Sequence, residues 1–242
     1  MMFEHLVCLF DLTRLVLFDW ISCFLMAELE DSMFARYGWL CVFLLLHHVG
    51  FSHAENAVDL QPKIFRCDRA VISETFDDQL PEIAVPVKGR WKVFDGVLQG
   101  VELEADKHAA VLNYQKVNRD SAVRFRFKLS DSSDGFHFSL NHQSGHLFRV
   151  VVDSNGVSLK LDKDKKNPDS KVMILASSKQ EIAKDQWHTM LVEMNGDRVV
   201  TQVSQDVLLD VRHPKLEATK PNYRFVTRGQ ALLIDDLNIF EE

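Results

Sequence analysis

The chain has 242 residues, of which 46% are hydrophobic and 26% charged, a balance that excludes wholesale disorder. Its formal charge of −7 is unevenly spread: two basic and six acidic residues precede residue 55, so of 28 and 35 in all, 26 and 29 remain, a net of −3. That is too weak to draw the body of the chain to nucleic acid or to a membrane surface.

The first 32 residues do not fit the rest. Residues 7–26 are apolar, but Asp11, Arg14 and Asp19 interrupt them, each costing ~2.5–3.5 kcal/mol near a bilayer centre. We take Met33 as the start and 1–32 as a gene-model extension, with a two-segment membrane anchor as the alternative. Residues 33–54 have the layout of a signal peptide: Arg36, an apolar run over 39–46, and Ser52-His53-Ala54 with small residues at the two positions a signal peptidase reads. The exported chain is then expected to begin at Glu55, to be secreted or periplasmic, and to keep no membrane contact after cleavage. Cys8, Cys23 and Cys41 all precede that point, so the remaining Cys67 cannot close an internal disulfide.

Residues 55–69 read as an N-terminal segment, and 70–242 as one β-domain. From Ala70 the dominant period is two. Val123, Phe125, Phe127 and Leu129 alternate with Arg124, Arg126 and Lys128; Phe136, Phe138 and Leu140 alternate with His137, Ser139 and Asn141. About twelve strands are predicted, over 70–76, 90–94, 97–104, 109–114, 121–129, 135–141, 146–153, 157–162, 171–176, 187–194, 197–203 and 221–240, the last in two pieces. Asp95-Gly96, Asn155-Gly156 and Asn195-Gly196 fall between such runs and suit the positive φ values of tight hairpin turns. If Asn195-Gly196 is a two-residue loop, Glu193 lies opposite Arg198 and Val192 opposite Val199. Region 205–220 reads as a longer connection. A dozen short strands without a 20–50-residue repeat indicate a sandwich or jelly roll.

Several segments carry a family resemblance. They are Glu74-Thr75-Phe76-Asp77-Asp78, Trp91-Lys92-Val93-Phe94-Asp95-Gly96-Val97-Leu98, Gly145-His146-Leu147-Phe148-Arg149-Val150, Asp185-Gln186-Trp187-His188-Thr189 and Ile234-Asp235-Asp236-Leu237-Asn238-Ile239. Together the sequence resembles the concanavalin A-like superfamily, in particular laminin-G-like and family-16-glycosidase-like domains of secreted bacterial proteins, and lies near the 3-keto-disaccharide hydrolase domains. The resemblance implies an all-β, two-sheet antiparallel jelly-roll sandwich and a glycan or polysaccharide as partner. The hydrolase domains carry a contiguous Asn-Ser-Gly signature; here the residues read Asn141-His142-Gln143-Ser144-Gly145.

Catalysis by a retaining glycosidase needs two carboxyl groups ~5–5.5 Å apart. Glu102-Leu103-Glu104-Ala105-Asp106 lacks that spacing, and the adjacent Asp235 and Asp236 are expected to face opposite ways. No catalytic residue is therefore assigned. If His142–Gly145 is a four-residue loop, Asn141 faces His146 and the imidazoles of His137, His142 and His146 gather at one end of a sheet. They are candidates for a sugar-contacting patch, a metal site or plain surface histidines. Three-residue spacing is expected to put Arg149 on the opposite face from His146, among Leu147 and Val151, as a paired arginine or a groove floor. Arg124 and Arg126, with Lys128, form a positive row, either solvated or reading acidic glycans. Trp91 and Trp187 are expected in the core, with sugar-stacking platforms as the alternative. No cofactor motif is present, and calcium has no sequence support. The expected function is an exported, non-catalytic module for glycan recognition. The alternatives are an enzyme of the keto-disaccharide hydrolase kind, or an interaction module without a sugar ligand.

Overall fold

The computed structural model describes residues 60–241. The expectations for the extension, the signal peptide and the start at Glu55 lie outside the described residues. Two antiparallel sheets pack face to face. One has eight strands in the order β13 (Val207–Arg212), β12 (Arg198–Val203), β11 (His188–Asn195), β6 (Ser121–Leu129), β15 (Leu232–Glu241), β4 (Val97–Val101) and β3 (Arg90–Phe94), with β1 (Ile72–Glu74) also paired to β15. The other has seven: β10 (Met173–Ser178), β9 (Gly156–Leu161), β8 (Gly145–Asp153), β7 (Ser133–His142), β14 (Tyr223–Gly229), β5 (Ala110–Tyr114) and β2 (Ala84–Lys88). No helix among the described residues is long and apolar enough to cross a membrane.

The inward positions of the two sheets make one core. On β6, Val123, Phe125 and Phe127 are fully buried and Leu129 nearly so, as the alternation requires, since leaving each in water forfeits ~1.5–3 kcal/mol. The Phe125 ring is the hub: its centroid lies 5.2 Å from that of Phe225, 5.6 Å from Phe138 and 6.3 Å from Phe136. Trp91 closes the same core, and its indole N–H donates to the Lys88 carbonyl at 3.1 Å.

Among the described residues fifteen strands replace the twelve predicted. β2 was hidden by Pro86, which is tolerated because β2 is an edge strand. β13 lies inside the region read as a connection. There Val207, Leu209 and Val211 are buried while Leu208, Asp210 and Arg212 are exposed. The true loop is the short Ser204-Gln205-Asp206, with Ser204 at φ 48°.

The hairpin turns divide. Phe94 pairs with Val97, and Asp95 and Gly96 both have positive φ, 53° and 71°, as expected. In the third hairpin Asn195 pairs with Arg198 and Glu193 with Val200, so the predicted Glu193–Arg198 pairing is off by two residues. The two-residue loop is Gly196-Asp197, with glycine at its first central position, the place a type II′ turn demands. The second is shifted by one residue in the opposite direction: Asp153 pairs with Gly156 around Ser154-Asn155, so the glycine stands outside the loop.

Outside the eight-stranded sheet, residues 60–67 lie across the outward side chains. Leu60 and Phe65 form a second buried cluster with Ala122, Leu191 and Phe240. Glu193, completely buried, accepts backbone N–H bonds from Lys63 at 2.9 Å, Ile64 at 2.7 Å and Phe65 at 2.9 Å. Cys67 is a free thiol beside this anchor; burial pushes its pKa up to about 11, which keeps it out of the reactive thiolate form.

Candidate functional site

The outer face of the seven-stranded sheet is where polar side chains converge. β7 sends Phe136, Phe138 and Leu140 into the core, and alternation turns His137, Ser139 and Asn141 outward. Register then sets their neighbours. Ser139 lies opposite Arg149 on β8 and Arg224 on β14; Arg224 lies opposite Asn113 on β5, and Arg149 opposite Lys160 on β9. One polar row thus crosses five strands. On one side of it His137 is flanked by Val151 and Val226, and on the other Asn141 pairs with His146.

His146 and Arg149 share this face, contrary to expectation. The ladder slips between Leu140 and Asn141, so that Leu140 meets Phe148 but Asn141 meets His146, and Leu147 is the extra residue of a bulge. Leu147 and Phe148 both enter the core, and parity along the strand is reversed at that point.

These residues line a pocket of about 130 Å³, with His108, His137, Ser139, His146, Arg149, Asp162, Arg224 and Arg228 around it. Arg149 binds Asp162 with two donors, Nε at 3.1 Å and Nη2. The Asp162 side chain is only 4% exposed. It is the one carboxylate among the lining residues, so the pair needed for glycosidic hydrolysis is not supplied by this pocket. Arg228 has Glu102 at 4.0 Å, and that carboxylate accepts the Gly229 N–H at 2.8 Å. His146 Nδ1 lies 2.9 Å from Asn141 Oδ1 and 3.2 Å from Arg224 Nη1.

Burial and the adjacent arginines favour the neutral imidazole at His137 and His146. For His146 burial lowers the pKa first, then Arg224. For His137 burial, then Arg149, Lys160 and Arg228 against Asp153, bring it from 6.5 to about 4. The native state therefore binds fewer protons than the unfolded chain between these values. The contribution is present above pH 6.5 and is lost as pH falls toward 4, a loss of at most about 3 kcal/mol. His137→Gln should flatten the dependence of unfolding free energy on pH in that window. An NMR titration of His137 with a midpoint near 6.5 would contradict this.

The residues foreseen from sequence separate into groups. His137, His146 and Arg149 line the pocket, and Asn141 holds His146 at its rim. His142 is not in the lining; it sits in the hairpin turn and accepts the Ser144 N–H at 3.2 Å. The third imidazole is instead His108, from the approach to β5. Arg124 and Arg126 belong to the other sheet, so no single face collects all of the foreseen residues. There Arg124 lies over the Phe240 ring at 5.7 Å, and Arg126 and Lys128 over Trp187 at 4.8 and 5.2 Å. Trp187 is thus on the outer face and not in the core. Arg126 Nη1 is also 3.6 Å from both Asp235 and Asp236. These acids converge because Asp236 adopts φ 47° at a register shift in β15, against the expectation that they diverge. Among the described residues no group of three His, Cys, Asp or Glu side chains could hold a metal ion.

Residues 79–233 match the family model described as the 3-keto-alpha-glucoside-1,2-lyase-like domain. The chain belongs to this family. Among solved structures the lyase-like domain is similar to carbohydrate binding module CBM66 from Bacillus subtilis, at 11% identity and TM-score 0.54, covering 66% of this chain and 96% of that one. It is similar to LamA E269S from Z. galactanivorans in complex with laminaritriose and laminaritetraose, at 12% identity and TM-score 0.54, covering 73% and 100%. It is also similar to SCLam, a non-specific endo-beta-1,3(4)-glucanase from family GH16, at 11% identity and TM-score 0.54, covering 76% and 96%. These likenesses show the fold, a concanavalin A-like jelly-roll sandwich. A search of curated protein sequences returned no match.

Proposed function

We propose that the lyase-like domain is an exported glycan-recognition module whose ligand enters the pocket on the outer face of the seven-stranded sheet. The observation that carries this reading is the make-up of the pocket: three arginines and three histidines converge, while its single carboxylate is already bound by Arg149. Such a wall offers many donors to the oxygens of a sugar and no paired acids to cleave it. A glycan array probed with the full chain tests the proposal. Arg149→Ala should lose whatever signal the wild type gives, and a protein that binds no glycan would sink it.

One observation favours a second reading, elimination from a 3-keto-glycoside. His137 is held neutral beside guanidinium groups. A neutral imidazole has the free lone pair needed to take a proton next to a carbonyl, and the guanidinium groups can stabilise the oxyanion that forms. Release of the leaving sugar from a 3-keto-glucoside, abolished in His137→Gln, would establish this reading. Absence of turnover alongside retained binding would leave recognition alone.

A further inference from the structure

Resting on the reading that this pocket holds sugar, we infer that it selects glycans bearing a negative charge, a uronic-acid carboxylate or a sulfate ester, seated between Arg224, Arg149 and Ser139. The three residues form consecutive positions of one row across β14, β7 and β8. Their charges are unequally met. Arg149 is neutralised by Asp162 through two hydrogen bonds, and Arg228 more loosely by Glu102 at 4.0 Å. Arg224 forms no ion pair among the described residues; its polar contact is with His146, a neutral ring. A partly buried guanidinium without a counter-charge is costly.

Ser139 gives an independent sign. The residue is 5% exposed, and among the described residues its hydroxyl oxygen has no hydrogen-bond partner although it lines the pocket. Buried hydroxyls are almost always satisfied, so a ligand atom at this point completes the site. A forked guanidinium matches the two oxygens of a carboxylate or sulfate. The Ser139 hydroxyl, directly opposite both arginines, adds a third donor. The volume of about 130 Å³ is well below the roughly 300–1,000 Å³ of sites that enclose a drug-sized molecule, so it suits a terminal ring or one charged substituent. Burial, then Arg149, lowers the pKa of Arg224 against an opposing pull from Asp162, and an anion seated beside the guanidinium offsets that cost. The row Arg124, Arg126 and Lys128 is no rival, because aromatic rings and Asp235 and Asp236 already occupy it.

The test is calorimetric titration of the full chain with sodium glucuronate, glucose 6-sulfate, glucose and sodium sulfate, repeated with Arg224→Gln. At least one anionic sugar should bind about tenfold tighter than glucose, and added salt should erode the difference. Arg224→Gln should lose that tenfold preference while its melting temperature stays the same or rises, because deleting an unpaired cation beside Arg149 removes repulsion. A purely structural role predicts a lower melting temperature and an unchanged preference. If the glutamine variant fails to fold, Arg224→Lys, which keeps the charge and loses the fork, should show the weakened preference. Equal affinity for glucose and both charged sugars overturns the inference and leaves the sugar-pocket reading standing. Sodium sulfate matching glucose 6-sulfate also overturns it, by reducing the pocket to a bare anion site. No binding by these probes or on the glycan array overturns both. Whichever charged sugar binds more tightly identifies the group recognised.

Discussion

Arg149→Ala is expected to destabilise the domain by about 3 kcal/mol, a fall in melting temperature of roughly 6–12 °C for a body of this size. The cause is what remains behind. Asp162 is 4% exposed and has both carboxylate oxygens held by Arg149. Removing the guanidinium strands a charge in a place with little water. The loss should fall at the lower end if water enters from the pocket side, where Arg149 itself is 29% exposed. Adding Asp162→Asn to the alanine variant should recover part of the stability, since a neutral amide is cheaper to bury unpaired. Arg149→Lys should lie between, with one donor where the fork had two. Thermal melts of the four proteins decide the matter: an alanine variant that melts like the wild type would show that the pair contributes nothing.

Glu193→Ala should cost a similar amount, about 3 kcal/mol, through a different mechanism. Among the described residues this carboxylate forms no ion pair; three successive backbone N–H groups, from Lys63, Ile64 and Phe65, hold its charge. Hydrogen bonds to a charged group contribute ~1.5–3 kcal/mol each, offset by the cost of burying the carboxylate. Truncation leaves three donors unmet and loosens Leu60 and Phe65 from Ala122, Leu191 and Phe240. Amide exchange should therefore accelerate first at residues 63–65, before the sheets open. Glu193→Gln should retain part of the protection, because one acceptor oxygen survives. Unchanged exchange at 63–65 in the alanine variant would contradict the assignment.

The fold was legible because burial writes itself as alternation. Val123, Phe125, Phe127 and Leu129 declare an inward face within one strand, and no distant information is needed to read it. The same rule could have recovered β13 from Val207, Leu209 and Val211. Turns were half-legible: Asp95-Gly96 occupies the loop it suggests, whereas Asn195-Gly196 is displaced by one residue because glycine takes the first central position. The pocket was legible only along β7 and β8. Arg224 is more than 70 residues from Ser139 in the chain and meets it because β14 lies between β7 and β5, a pairing that no local pattern reveals. His146 and Arg149 were separated by a parity rule that holds for regular strands and fails at the Leu147 bulge.

The strap over residues 60–67 also sets a polarity. The chain enters the sandwich on the outer side of the eight-stranded sheet, where Glu193 clamps it, whereas the pocket opens on the outer side of the seven-stranded sheet. Two packed layers, their backbones ~10 Å apart, separate the point of attachment from the mouth. A version shortened to begin at Leu60 and immobilised through that end is held at the face away from the pocket. An immobilised or fused version tethered at that end should keep full access to a polymer surface, while a tether near the hairpin of His142 and Gly145 would stand in the entrance.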